Sequence, residues 1–366
     1  MKDGIKFHSP RPPGMRPPYL LPSSERSRRR GRGRSFSPHK QQANPITPLS
    51  ISLPTRAPRG ERARQSPPYS LRSLNGSCIF RAAKSPLSMR LSIVTPSFRS
   101  AKWLKLCIAS VADQEGVDVE HIVQDSCSDD GTQEWLPHDR RVKAYIEKDQ
   151  GMYDAVNRGY QRAQGDILAY LNCDEQYLPG GLQAVHDFFE ENPRTEVLLA
   201  GTIVVGNAGE YVCHRHSLVP RLTHLWYRFP VLTSSVFLRR SVIHDRKLLF
   251  DTRWRDLGDI HWIRRLLQEK VPMGVSNTFT SVFADTGENM NLKPNAIREK
   301  AEWAAMIPST HRLLKPVSIL HHRARRMAAR HFSMKPTSYC IYTHASPDKR
   351  VRIDVEKPTG VWWNRL

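Results

Sequence analysis

The sequence predicts an α/β fold, with a mostly parallel sheet flanked by helices. From Met89 onward, short apolar runs alternate with longer segments whose apolar residues recur at helical spacing. Strands that alternate with helices usually pair in parallel, because each helix carries the chain back to the same end of the sheet. Ligands of such sheets bind beyond the carboxyl ends of the strands. The residues that directly follow each strand are therefore the first candidates for a site.

The predicted elements alternate along the chain. The predicted strands are 91–94, 121–124, 167–171 and 197–205. The predicted helices are 103–111, 149–164, 182–191 and a segment that starts at Asp259. In the first of these helices Leu104, Ile108 and Val111 share one face, which is typical of a helix that packs on a sheet.

Charge divides the chain into three parts. The formal net charge is +21, but it is unevenly distributed. Residues 1–90 carry 19 basic and 3 acidic side chains, and residues 303–366 carry 12 basic and 3 acidic side chains. Residues 91–302 carry 25 basic and 29 acidic side chains. A protein whose folded body binds nucleic acid carries the basic excess on that body. The slightly acidic middle therefore disfavours nucleic acid as a partner, and binding through the basic tails is kept as an alternative.

The domain boundaries follow this division. Residues 1–88 are rich in Pro, Arg and Ser and lack periodic apolar positions, so they cannot bury enough surface to fold and are predicted to be disordered. Translation that begins at Met89 would be another explanation of this segment. We predict an α/β domain at 89–300 and a basic extension at 301–366.

The extension is predicted to form a helix followed by strands at 339–343 and 351–355. Residues 303–347 contain no Asp or Glu and interleave basic with apolar side chains. This pattern is typical of an amphipathic helix that contacts an anionic membrane surface. The alternative is a helix that packs on the domain and points its charges at water.

Cysteine usage and hydropathy predict a cytoplasmic protein, with peripheral contact at the membrane face as an option. The six cysteines form no CxxC pair, which favours a reduced compartment over disulfides or a zinc site. The longest apolar run, 197–205, is too short to span a bilayer. The N-terminus also lacks the apolar stretch of a secretory signal.

Polar residues follow the first two predicted strands. Thr95, Pro96 and Ser97 come after the first strand, where the proline is expected to end the strand and the hydroxyls can contact a ligand. Asp125 comes after the second strand and can accept a hydrogen bond from a base or a ribose. Each segment could also be an ordinary loop or turn.

Carboxylates follow the third strand and begin the last helix. Asp174 and Glu175 are adjacent at the predicted sheet edge, where carboxylate oxygens suit Mg²⁺ or Mn²⁺. Such a cation would neutralise a departing diphosphate. Asp259 is either a helix cap or a general base that removes a proton from an acceptor hydroxyl, and spacing does not separate these two roles.

Four segments resemble the inverting GT-A glycosyltransferases of family two. They are LSIVTPSF, IVQDSCSDDGT, EKDQGMYDAVNRGYQRAQGDILAYLNCDE and FDTRWRDLGDIHWIRRLL, which lie in the family's order between Arg90 and Gly287. The resemblance implies a GT-A, Rossmann-like fold and a role in polysaccharide biosynthesis. It also implies transfer of one sugar from a nucleotide-sugar donor, a UDP-sugar, to a glycan or lipid-linked acceptor, with inversion and with Mg²⁺ or Mn²⁺ as cofactor.

The resemblance also implies a role for each candidate residue. Asp174 would hold the metal, with Glu175 as a second ligand, and Asp259 would deprotonate the acceptor. The residues that would contact the nucleotide sugar are Thr95, Pro96, Ser97, Asp125, Asp149, Gly151 and Asn157.

Two departures from the family pattern and one other reaction class leave alternatives open. The acidic motif has Asn172 and Cys173 where many family members have acids, so a catalytically inactive relative is one alternative. A QxxRW motif does not follow Asp259, which favours a distributive enzyme over a processive synthase. A nucleotidyltransferase is a further alternative, but the loop at 95–99 lacks the glycines that such an enzyme uses there.

Overall fold

The computed structural model describes residues 89–286 and 294–362. The predicted tail at 1–88 lies outside the described residues. The strands are β1 (Arg90–Ser97), β2 (Asp118–Asp125), β3 (Lys143–Ile146), β4 (Ile167–Tyr170), β5 (Gln176–Tyr177), β6 (Val197–Val205), β7 (Tyr211–Arg215), β8 (Val236–Arg239), β9 (Met273–Ala284), β10 (Thr337–Thr343) and β11 (Ser346–Val355).

Helices lie between these strands and in the C-terminal part. They are α1 (Ala101–Ala112), α2 (Thr132–Trp135), α3 (Met152–Arg162), α4 (Gly181–Glu191), α5 (Leu222–Leu225), α6 (Arg240–His244), α7 (Gly258–Gln268), α8 (Pro294–Ala305), α9 (Ser309–Leu313) and α10 (Lys315–Ala328). Short 3₁₀ turns lie at Leu136–His138 and Thr233–Ser235. No helix within the described ranges combines the length and the apolar character that a membrane span requires.

The main sheet has the strand order β3-β2-β1-β4-β8-β6-β9-β5, with β7 paired to β6. Strands β3, β2, β1 and β4 run parallel to one another. Strand β8 runs antiparallel between β4 and β6, while β6 and β9 pair in parallel. The predicted α/β fold is confirmed: its parallel part carries the strand ends that the sequence analysis singled out, and the rest of the sheet is mixed.

Helices cover both faces of the sheet. On one face, α3 and α7 bury residues such as Tyr160 and Trp262 against Val94 of β1. On the other face, α1 and α4 bury residues such as Val111 and Phe189 against Ile93. Neighbouring residues of β1 thus point to opposite faces, as strand geometry requires. Burial of each large apolar side chain stabilises the fold by about 1.5–3 kcal/mol.

The first strand is longer than predicted. Pro96 was expected to end it at Val94, but β1 continues to Ser97 and pairs along its whole length with β2. On its other side, β4 pairs with β1 only as far as Val94. A proline is tolerated in a strand where no neighbouring strand needs its missing N–H. Pro96 lies past the end of β4, so its missing N–H disrupts no ladder.

The predicted C-terminal strands form the β10–β11 hairpin, which packs against the main sheet. Ile341 and Ile353 of the hairpin are buried with Ile203 and Val282 of β6 and β9. Arg350 forms an ion pair with Asp113 at 2.6 Å. The predicted boundary at residue 300 falls within α8, and the division into a domain and an extension stays a proposal.

Candidate active site

A cavity of about 1700 Å³ opens at the carboxyl ends of β1, β2 and β4. Ser97, Ser126 and Asn172 line it where these three strands end. The N-terminus of α7 and the C-terminal helix α10 complete its walls. The cavity therefore lies where the sequence predicted a ligand site.

The predicted nucleotide-contacting residues divide into two groups. Pro96, Ser97, Asp149 and Gly151 line the cavity. Asp149 accepts a hydrogen bond from the Gly151 amide at 2.8 Å, and burial raises the pKa of its carboxyl. Gly151 has a φ of 124° at the start of α3, a conformation that favours glycine. These four residues are therefore accessible to a ligand that enters the cavity.

The other three residues do not line the cavity. Thr95 is buried, with its Oγ1 2.9 Å from His121 Nε2. The Asn157 side chain exchanges two hydrogen bonds of 2.9 Å with the backbone of Phe250. Asp125 is also buried, and it accepts hydrogen bonds from the Ser97 hydroxyl at 2.9 Å and the Ser128 amide at 2.8 Å. These three side chains support the walls of the cavity from behind.

The acidic pair after β4 is split between the cavity and the protein interior. Asp174 lines the cavity, and burial raises the pKa of its carboxyl. Glu175 is fully buried; its Oε2 accepts a hydrogen bond from the Asn172 amide at 2.8 Å, while its Oε1 has no hydrogen-bond partner. Burial is the main cause of the raised pKa of Glu175, and the charge of Asp174 raises this pKa further. The geometry favours Asp174 over Glu175 as a metal ligand.

One carboxylate of the acidic pair faces the cavity, which suits a cation that is shared with a bound ligand. Among residues 89–286 and 294–362, no group of three or more His, Cys, Asp and Glu side chains could hold a metal. Mg²⁺ is commonly held by one or two carboxylates together with phosphate oxygens and water. Asp174 fits this pattern, because its buried carboxylate would gain from a neighbouring positive charge.

Asp259 lies in the first turn of α7 and faces the same cavity as Asp174. Burial raises the pKa of its carboxyl to about 6. Its Oδ1 accepts a hydrogen bond from the Ile260 amide at 2.7 Å, and its own amide donates to the Tyr153 hydroxyl at 3.1 Å. A carboxylate with a pKa near the working pH is an effective general base. The N-cap residue of α7 is Leu257, so Asp259 is not the helix cap, and its position is compatible with the predicted general base.

Glycine is required directly before Asp259. A Cβ added to Gly258 would lie 2.5 Å from a ring carbon of Tyr153. The absence of a side chain lets the Tyr153 ring pack against the start of α7. Tyr153 and Gly258 therefore fix the position of Asp259, and the sequence analysis assigned neither of them a role.

Glu299 of α8 holds the loop that precedes Asp259. Its carboxylate accepts hydrogen bonds from the amides of Arg255 at 2.8 Å, Asp256 at 3.0 Å and Leu257 at 2.8 Å. Burial opposes ionisation of Glu299, but these amides together lower the pKa of its carboxyl. The sequence analysis missed Glu299, because its partners lie more than forty residues earlier in the chain.

Glu299→Gln is expected to destabilise the protein by about 1.5–3 kcal/mol, the usual contribution of hydrogen bonds to a charged group. It should also lower the rate of the predicted sugar transfer, because the loop before Asp259 loses its anchor. Chemical denaturation and initial rates measure the two effects. The matched control is Glu302→Gln, an exposed position on the same helix. Equal effects of the two substitutions would contradict this role of Glu299.

Comparison with known proteins gives a family match for part of the chain. Residues 92–248 match the family described as Glycosyl transferase family 2. The match ends at Leu248, before Asp259. The proposed role of Asp259 therefore depends on the geometry of α7 and on the local resemblance around it.

Relatives share parts of this chain. The glycosyltransferase TuaG of Bacillus subtilis (strain 168) is 32% identical over 106 residues, which cover 28% of this chain and 42% of that protein. A PGL/p-HBAD biosynthesis glycosyltransferase of Mycobacterium bovis (strain BCG / Pasteur 1173P2) is 27% identical over 251 residues, which cover 67% of this chain and 94% of that protein. The chain spans less than half of the first curated relatives that it matches, 42% and 38% of their lengths.

A solved structure shows a partial similarity. The crystal structure of S. aureus TarS 1–349 in complex with UDP-GlcNAc is 18% identical in sequence, with a TM-score of 0.48. The similarity covers 59% of this chain and 64% of that one.

Proposed function

We propose that this protein transfers one sugar from a nucleotide-sugar donor, a UDP-sugar, to an acceptor hydroxyl with inversion. One observation carries the proposal: Asp174 and Asp259, which come from separate parts of the chain, line one cavity at the carboxyl ends of the strands. The match of residues 92–248 to glycosyltransferase family 2 supports the same reaction class. The donor's sugar would lie between the two carboxylates.

Each cavity residue would have a distinct task. Ser97, Asp149 and Gly151 would contact the nucleotide, and Asp174 would hold Mg²⁺ or Mn²⁺. When bound, this cation supplies positive charge that stabilises the departing diphosphate. Asp259 would accept the proton of the acceptor hydroxyl while the acceptor oxygen attacks the anomeric carbon and the bond to the donor phosphate breaks. Attack from the face opposite the leaving group inverts the anomeric configuration.

The acceptor and the cellular location are further parts of the proposal. A glycan or a lipid-linked acceptor and a cytoplasmic site of action stay predictions. Leu320 and Met327 of α10 are each 69% exposed beside basic side chains. This arrangement supports peripheral contact of α10 with an anionic membrane surface.

Calorimetry with UDP tests the proposed function. The full chain is expected to bind UDP in the presence of Mn²⁺ and to lose this binding in EDTA. A panel of nucleotide sugars, assayed for donor hydrolysis, would then identify the donor. Absence of UDP binding under both conditions would favour an inactive relative. RNA binding that depends on residues 1–88, without UDP binding, would favour the nucleic-acid-binding alternative.

A further inference from the structure

The cavity has a basic wall that the proposed reaction does not use. Arg215 at the end of β7, Arg228 after α5 and Arg326 on α10 all line it. Strand β7 and helix α5 are near each other in the sequence, while α10 follows much later in the chain and is brought to the same cavity by the fold. Three guanidinium groups therefore converge on a space that a ligand can enter.

The positive charges of these arginines act on one another, and within residues 89–286 and 294–362 none of the three forms an ion pair. Burial lowers the pKa of the Arg215 guanidinium, and the charge of Arg228 lowers it further. Burial lowers the pKa of Arg326 to about 10, with Arg215 and Arg228 as additional causes. Among the groups that act on these two arginines, only the Cys213 thiol raises their pKa. Like charges in a partly buried site destabilise a fold unless an anion joins them.

The basic wall is also separate from the carboxylates that would serve the donor. The causes of the lowered pKa values of Arg215 and Arg326 do not include the charge of Asp174 or of Asp259. Conversely, no arginine contributes to the raised pKa of Asp174 or Asp259. The positive and negative parts of the cavity thus serve different portions of what binds there.

The guanidinium of Arg326 is held in place. It lies 4.4 Å from the centre of the Phe332 ring and donates a hydrogen bond to the Gly360 carbonyl at 3.1 Å. The guanidinium of Arg215 is half-buried, and among the described residues it forms no ion pair or hydrogen bond. One arginine is therefore positioned in advance, while its neighbour keeps its donors available.

We propose that Arg215, Arg228 and Arg326 bind a phosphate or diphosphate ester of the acceptor. Guanidinium groups match the geometry of phosphate oxygens and form strong charge-assisted hydrogen bonds with them. The assignment to the acceptor depends on the proposed function, in which the donor diphosphate lies beside Asp174. An acceptor anchored by its phosphate at the basic wall would present its hydroxyl to Asp259.

Inorganic pyrophosphate is the probe for this subsite. Calorimetry on the full chain in EDTA compares the wild type with Arg215→Gln and Arg326→Gln. Each substitution is expected to weaken pyrophosphate binding by about tenfold or more, the effect of losing one charge-assisted contact. The control is Arg330→Gln, which removes the same charge from an exposed arginine that does not line the cavity. It should leave the affinity unchanged.

A second measurement separates the acceptor from the donor. Affinity for UDP with Mn²⁺ is expected to be the same in the wild type and in Arg215→Gln. A parallel loss of UDP and pyrophosphate affinity would assign the arginines to the donor and overturn the proposal. Unchanged pyrophosphate affinity in Arg215→Gln would overturn the subsite itself.

Thermal unfolding shows whether the variant is folded. Arg215→Gln removes one of three like charges, so its Tm without ligand should equal or exceed that of the wild type. Pyrophosphate should raise the Tm of the wild type more than that of the variant. If the wild type binds pyrophosphate but no UDP, the proposed function fails and the acceptor assignment fails with it. The pyrophosphate comparison would still decide whether the arginines bind anions.

Discussion

Asp259→Asn is expected to slow donor hydrolysis and sugar transfer by about 10²–10⁴-fold, the usual effect of losing a general base. Asparagine keeps the shape of the side chain but cannot accept the proton of the acceptor hydroxyl. The affinity for UDP with Mn²⁺ should not change, because Asp259 is proposed to act on the acceptor. Initial rates with the preferred nucleotide sugar and calorimetry with UDP measure the two quantities.

Asp251→Asn is the matched control for this substitution. Asp251 lies in the loop before α7, pairs with Arg253 at 2.6 Å and does not line the cavity. Its substitution should leave the rate within about twofold, as is usual for surface changes. Near wild-type turnover of Asp259→Asn would assign the base to another group, and Asp256 would be the next candidate because it lines the same cavity.

The pH dependence of the rate follows from the pKa of Asp259. Burial raises this pKa to about 6, so the carboxylate that accepts a proton predominates above pH 6. The rate of the wild type should fall as the pH is lowered through 6. When donor and Mn²⁺ are saturating, the residual rate of Asp259→Asn should lack this decrease, because asparagine does not titrate.

Local sequence patterns predicted the parallel part of the sheet and the approximate place of the cavity. Apolar runs of strand length identified β1, β2, β4 and β6, and the strand-end rule led to Asp174. These features are local, since each depends on a few consecutive residues. Pro96 misled the prediction because a proline ends a strand only where its N–H would be needed. That condition depends on where the neighbouring strand β4 ends, which the local sequence does not contain.

Several positions could not be predicted because their partners are distant in the chain. The antiparallel strand β8 lies between β4 and β6 in the sheet. Both of these strands come earlier in the chain, so the local sequence of β8 does not show that it pairs with them. Glu299 anchors a loop that precedes it by more than forty residues. Asn157 resembles a donor-contacting residue by its place in the motif, yet its amide binds the Phe250 backbone. Motif position alone does not show which side of a helix faces the ligand.

Asp174→Asn is expected to abolish the Mn²⁺-dependent part of UDP binding. The substitution removes the only charge of the acidic pair that faces the cavity, and an amide oxygen is a weak substitute for a carboxylate at a hard cation. Calorimetry with UDP in Mn²⁺ and in EDTA measures the effect. Asp187→Asn, at an exposed position on α4, is the control and should bind UDP like the wild type.

Glu175→Gln decides whether the neighbouring carboxyl shares this role. Glu175 is buried behind the cavity wall and accepts a hydrogen bond that glutamine can also accept. Its substitution should therefore leave UDP–Mn²⁺ affinity within about twofold, because no charge that faces the ligand is lost. Equal losses in Asp174→Asn and Glu175→Gln would mean that Glu175 turns toward the cation when the donor binds. Since burial raises the pKa of the Asp174 carboxyl, UDP–Mn²⁺ affinity of the wild type should increase with pH as this carboxyl ionises.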